Sequence, residues 1–215
     1  MFPRIVMFED EADLRSAYVE RLQEQGFDDV HAFSDTDGML SRIKELYTRP
    51  AVLLTDWYIS PLPPTTFVPE LRRAGIPIPV VIMTSRGRFE LLSGLNASCG
   101  LAGWFAKGTD PDTLIAKLAS TLMDLTPSAG VAWEEYCAGQ EARALVRHYR
   151  PEQAQTMRRL LGFALPKELI GDDESGLSKD MVYKVRGDMI DFMRKGSNPT
   201  TRFVALMRVL DAAAM

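Results

Sequence analysis

The chain has 215 residues, 46% hydrophobic and 25% charged, with a formal net charge of −4 at pH 7. That is an ordinary globular composition, sufficient for one or two domains, and it excludes a chain that is basic throughout. No apolar run approaches the roughly 18 residues of a membrane span. The N-terminus enters an apolar run without a signal-peptide pattern, and Cys99 and Cys137 make neither a disulfide framework nor a metal site. The expected location is the cytoplasm, with no membrane association. Residues 1–147 carry 14 Lys and Arg against 20 Asp and Glu, whereas residues 148–215 carry 11 against 9. The acidic excess is thus N-terminal, and the C-terminal part permits nucleic-acid binding without arguing strongly for it.

Up to about residue 124, short apolar runs alternate with helical patterns. The predicted strands are 4–8, 29–33, 51–56, 79–84 and 103–106. Leu14, Tyr18 and Leu22 form a helical stripe, as do Met39, Ile43 and Leu46. A helix is predicted over 112–123, with Pro111 in its first turn. Five strands alternating with five helices predict a doubly wound α/β domain with a parallel sheet. The alternation stops at 124–130, where Pro127, Ser128 and Gly130 suggest a boundary. No strand is predicted beyond it. Helices are expected over 131–148, with Trp133, Tyr136 and Cys137 on one side; from Pro151, with Met157, Leu160 and Leu161; in a short segment near Pro166; from an N-cap at Ser178 to Lys195, ended by Gly196; and from about Thr200 to Leu210.

The polar residues at the strand ends carry the chemistry. Glu9 and Asp10 follow the first run, Asp56 ends the third, Thr84 and Ser85 close the fourth, and Lys107 follows the fifth. In an open parallel sheet these ends share one edge, where ligands bind. Glu9, Asp10 and Asp56 offer hard oxygen ligands suited to Mg²⁺. A carboxylate beside such an ion can act as a nucleophile toward phosphorus. Thr84 is placed to hydrogen-bond a phosphoryl oxygen and Lys107 to neutralise one. Each has a plainer alternative: a loop carboxylate at Asp56, helix-terminal charges at Glu9 and Asp10, a cap at Thr84, core packing at Trp104, a surface lysine at Lys107.

In these features, their order and their spacing, residues 4–124 resemble the receiver domain of bacterial two-component response regulators. The resemblance implies Asp56 as phospho-acceptor for a histidine kinase, and Mg²⁺ held by Glu9, Asp10, Asp56 and the backbone carbonyl of Tyr58. It also implies Thr84 as switch hydroxyl, Trp104 as switch aromatic and Lys107 as the lysine of the motif. The chain departs from the family in the stiff, bulky stretch Trp57 to Pro64, in Gly108 where a cis proline is usual, and in the size of Trp104. An aspartate-based phosphohydrolase would need a second aspartate two residues after the nucleophile, and Tyr58 stands there. The chain is therefore expected not to be an enzyme.

Residues 149–210 have a four-helix rhythm. Tyr149-Arg150-Pro151-Glu152 resembles the opening of the LuxR-type (NarL-like) helix-turn-helix output domain, and Leu177 to Arg186 resembles its recognition helix. The resemblance implies double-stranded DNA as partner and a homodimer formed on phosphorylation. Ser178, Lys179, Tyr183, Lys184, Arg186, Arg194 and Lys195 are the DNA-facing candidates, and Met181, Val182 and Val185 would face the core. Asp180, Asp188 and Asp191 give the helix mixed charge. The longer, acidic turn 171–176 would repel phosphate and favours the alternative, a helical module that binds a protein. The expected partition is a receiver over 1–124, a linker with a helix over 125–148, and a helix-turn-helix domain over 149–215. Trp133, Tyr136 and Leu145 would pack the linker helix on the receiver, or on a second copy.

Overall fold

The computed structural model describes residues 2–85, 100–107, 111–162, 178–195 and 198–213. The chain divides into two compact units, Met1–Trp133 and Glu134–Met215. In the first, the apolar runs form β1 (Arg4–Phe8), β2 (Val30–Phe33), β3 (Ala51–Asp56), β4 (Val80–Thr84) and β5 (Gly103–Ala106). They make one five-stranded sheet, parallel throughout, in the order β2-β1-β3-β4-β5. Strands β3 and β4 are buried at every position, because helices cover both faces, and each is a continuous apolar run until the polar residues at its C-terminal end. Asp29 and Pro79, expected inside strands, lie just before them. Their carbonyls accept the first ladder bonds, from Ile5 and Leu53.

Helices α1 (Ala12–Glu24), α2 (Met39–Leu46), α3 (Pro64–Arg73) and α4 (Pro111–Asp124) flank the sheet. One face packs Ile5, Met7, Val52, Leu54, Val81 and Met83 against Tyr18 and Leu22 of α1 and Ile115, Leu118 and Leu122 of α4. The alternate residues Val6, Phe8 and Leu53 are buried on the other face, where the Phe8 ring lies 6.3 Å from Phe67 of α3. The helix expected between β4 and β5 falls outside the described residues. The doubly wound α/β architecture is as predicted.

Two glycines show how the helices are stopped. Gly26 and Gly75 have φ of 91° and 71°. Each lets the next residue donate back to the carbonyl five positions earlier, Phe27 to Leu22 at 3.0 Å and Ile76 to Leu71 at 2.9 Å. Both of those next residues are buried, which is the hydrophobic closure of a Schellman cap.

The helix expected over 131–148 begins earlier, inside the 124–130 stretch. Helix α5 (Thr126–Arg147) begins directly after Leu125. Pro127 is tolerated in a first helical turn, but it cannot donate to Met123. The helical run is interrupted only at Leu125. The ring of Trp133 meets Tyr47 edge-on at 5.1 Å, so this part of α5 packs within the chain.

The second unit uses the rest of α5, with α6 (Pro151–Leu161), α7 (Lys179–Arg194) and α8 (Pro199–Ala213). Ala138, Ala142 and Val146 meet Met157 and Leu161, Val185, Met189 and Phe192, and Leu206 and Leu210 in one core. Arg202 is buried beneath it. Its Nε donates to the Phe192 carbonyl at 2.6 Å, its guanidinium lies 4.3 Å over the Phe192 ring, and Nη2 pairs with Glu141. The predicted short helix near Pro166, the acidic turn 171–176 and Gly196 lie outside the described residues. Among the described residues no helix is long and apolar enough to cross a membrane.

Candidate functional site

The strand order reverses beside β1 and β3, and the crevice past their C-terminal ends is where open α/β sheets bind ligands. Register explains the convergence. Phe8 pairs with Thr55, so Glu9 emerges beside Asp56; Asp56 pairs with Met83, so Thr84 emerges one residue further along. Thr84 pairs with Ala106, and Lys107 follows, its N–H donating to the Thr84 carbonyl at 2.6 Å.

Glu9, Asp10 and Asp56 each bring one carboxylate oxygen within 4.8 Å of the others. Lys107 Nζ lies 2.8 Å from Glu9 Oε2 and 3.1 Å from Asp56 Oδ1. Glu9 is fully buried, Asp56 and Thr84 are nearly so, and Asp10 is exposed. Burial pushes the Glu9 carboxyl above the usual carboxylate range, against the pull of the Lys107 ammonium. Burial works to lower Lys107, but Glu9 and Asp56 overcome it and hold the ammonium above its ordinary value. The same neighbourhood reaches Tyr18, whose phenol is raised by burial first and by Glu9 and Asp56 after it.

The donor set suits a divalent metal. Three carboxylates face one ammonium, which leaves negative charge in excess, and buried Glu9 Oε1 accepts no hydrogen bond among the described residues. An oxygen removed from water without a partner is costly, and a hard cation would satisfy it.

Tyr58 lies in the turn after β3, with its side chain exposed between buried Trp57 and Ile59. The cis peptide found among the described residues is Ser60–Pro61; Gly108 lies outside them. Trp104 is 42% exposed on edge strand β5, so its indole is not core, and Phe105 instead packs inward.

Two contacts escaped the sequence. Arg15, one turn into α1, donates to the carbonyls of Glu9 at 2.8 Å and Asp10 at 3.1 Å, tying down the acidic loop. Thr36, after β2, is fully buried and bonded to the loop beyond Asp56. Nothing in periodicity marks either, since both bond to backbone.

In the second unit, the Ser178 hydroxyl accepts from Met181 N–H at 3.3 Å and caps α7. Lys179, Tyr183, Lys184 and Arg186 are exposed, whereas Val182 and Val185 are buried and Met181 is half-buried. Spacing of four and three places Lys179, Tyr183 and Arg186 on one stripe. Arg194 and Lys195 are exposed at the far end of the helix. Asp180 and Asp191 share the exposed side, but Asp188 does not belong to it. Asp188 is half-buried and takes a hydrogen bond from Tyr149, whose phenol burial and that carboxylate push far up.

No protein-family model matches the chain. Over 132 residues, 60% of this chain, it is 30% identical to the phosphate regulon transcriptional regulatory protein PhoB of Escherichia coli K12, and equally to that of Klebsiella pneumoniae. The matched region spans 56% of those relatives, about half their length. Among solved structures, a response regulator receiver domain protein from Clostridium thermocellum aligns with a TM-score of 0.50 at 18% identity, over 59% of this chain and 95% of its own. The response regulator StyR aligns with a TM-score of 0.50 at 16% identity, over 99% of this chain and all of its own. Fold and similarity together give the N-terminal unit the fold of a response-regulator receiver domain.

Proposed function

We propose that this protein is a response regulator of a two-component system, in which Asp56 accepts a phosphoryl group from a histidine kinase and the C-terminal unit acts on double-stranded DNA. The observation that carries the reading is the Glu9, Asp10 and Asp56 cluster with Lys107 bridging Glu9 and Asp56. Glu9, Asp10, Asp56 and the Tyr58 carbonyl would hold Mg²⁺, which when bound supplies positive charge against the charge that develops on the phosphoryl oxygens. An Asp56 oxygen attacks phosphorus, forming a P–O bond as the donor's P–N bond breaks and the electron pair leaves with the imidazole. Lys107 neutralises one phosphoryl oxygen and the Thr84 hydroxyl donates to another. Movement of Thr84 toward the new group, with Trp104 following, would favour a homodimer, and two copies of α7 would then enter DNA half-sites.

Support for the DNA reading is the capped helix α7 with its exposed Lys179, Tyr183, Lys184 and Arg186 beside a buried Val182 and Val185. The proposed partition keeps residues 1–124 as receiver, 125–148 as connecting helix and 149–215 as output domain. The test is uptake of one phosphoryl group from a small-molecule phosphodonor, read by intact mass. Uptake by the wild type in Mg²⁺, lost in Asp56→Asn and on chelation, is the expected result. Equal uptake by Asp56→Asn would refute the assignment.

A further inference from the structure

In the metal reading the Tyr58 carbonyl is a ligand, yet it belongs to a loop with three prolines among residues 61–64. Such a ligand binds well only if the backbone is already where the metal needs it, since ordering a loop on binding subtracts from affinity. The loop is fixed at both ends. On one side the Trp57 N–H donates to the Met83 carbonyl at 2.8 Å, and the Trp57 and Ile59 side chains are buried. On the other side Thr36 holds it. The Thr36 N–H donates to the Ser60 carbonyl at 3.0 Å, and the Thr36 hydroxyl oxygen accepts from the Leu62 N–H at 2.8 Å.

Thr36 is itself held. Its carbonyl accepts from the Met39 N–H at 3.1 Å, and its side chain is fully buried. Neighbouring Asp35 is gripped by Arg42 through both its carbonyl and its carboxylate, at 3.2 and 3.1 Å. Its carboxylate also accepts from Ser34 Oγ at 2.9 Å and the Asp37 N–H at 3.0 Å. Arg42 in turn stacks over Phe33 at 4.9 Å, and Phe33 over Phe8 at 5.4 Å, in the strand that leads to Glu9. Tyr58 is thus suspended between two pinned points, with the edge of β2 as the anchor.

We propose that Thr36 is a positioning residue for the metal site, fixing the Ser60 to Leu62 backbone so that Asp56 and the Tyr58 carbonyl meet Mg²⁺ without loop ordering. The inference rests on the metal reading above. Thr36 acts one step further out, through the backbone on either side of Tyr58, so the expected fall in Mg²⁺ affinity is about tenfold, the low end for a partner bonded to a ligand itself.

The test is a calorimetric Mg²⁺ titration of the full chain as wild type, Thr36→Val, Thr36→Ser and Asp56→Asn, with amide exchange at Leu62 measured in the metal-free protein. Thr36→Val keeps the volume and removes the acceptor. Leu62 exchange should speed up in it, and Mg²⁺ affinity should fall about tenfold. Thr36→Ser keeps the oxygen and should restore both readouts. It also carries the test if the valine variant does not fold, since affinity in Thr36→Ser well below wild type would then count against the proposal. Faster Leu62 exchange with unchanged Mg²⁺ affinity would overturn the positioning role and leave the metal site standing. Wild type without Mg²⁺ affinity, or indistinguishable from Asp56→Asn, would overturn the metal reading and this inference with it.

Discussion

At Glu9 two demands conflict. The side chain is fully buried, which disfavours its charge, yet a metal ligand must be ionised. In the metal-free protein the raised carboxyl keeps its proton to higher pH than an exposed glutamate. Its contribution to folding is therefore full below the ordinary carboxylate value of 4.5 and is lost as pH rises through the raised value. Mg²⁺ binding has the opposite sign, because it needs the proton gone. Mg²⁺ affinity should climb as pH rises through the shifted Glu9 value and level off above it. In Glu9→Gln affinity should be lower and the slope in that window flatter. Mg²⁺ titrations from about pH 5 to about pH 8 measure both; the same slope in both proteins would remove Glu9 from the ligand set. Arg202 makes a contrasting case of a buried charge with a structural task. Arg202→Met retains the stem packing but loses the bonds to Phe192 and Glu141, and should cost about 2–4 kcal/mol in urea unfolding; Arg202→Ala should cost more.

Among the elements, strands were the most legible. Apolar runs between polar punctuation gave β1, β3 and β5 with their bounds, and the chemistry lay at their ends, where register alone brings Glu9, Asp56, Thr84 and Lys107 together. The start of α5 was not legible. Pro127, Ser128 and Gly130 resemble a linker in composition, but a proline near a helix start lacks only a bond it would not need, so local composition could not tell a loop from a first turn. Helix α7 was legible through Ser178, whose hydroxyl caps it as expected. Ser178→Ala should lower stability by about 1 kcal/mol, seen as a reduced urea midpoint at unchanged slope. Lys184→Ala should leave that midpoint in place. It should weaken DNA binding on all sequences alike and reduce the salt slope of log affinity by about 1. A salt slope equal to wild type would mean that Lys184 touches no phosphate.

For the whole molecule, the sequence named Glu9, Asp10, Asp56 and Lys107, which the fold brings together, but not the contacts that hold the loops, because Arg15 and Thr36 act on backbone carbonyls and amides that any residue supplies. Tertiary bonds of that kind leave no period and no motif. The same limit applies to Asp188, which reads as one more surface charge until Tyr149 is seen to bond it. The proposed switch couples the two units: a phosphoryl group at Asp56 must change the affinity of the other unit for DNA. The measurement is capture of genomic DNA fragments by the full chain with Mg²⁺, with and without a beryllium-fluoride mimic of the phosphoryl group, alongside Asp56→Ala. Fragments should appear or tighten with the mimic in the wild type and not in Asp56→Ala. A folded protein that captures no DNA under any condition, or captures it equally with and without the mimic, would contradict this coupling.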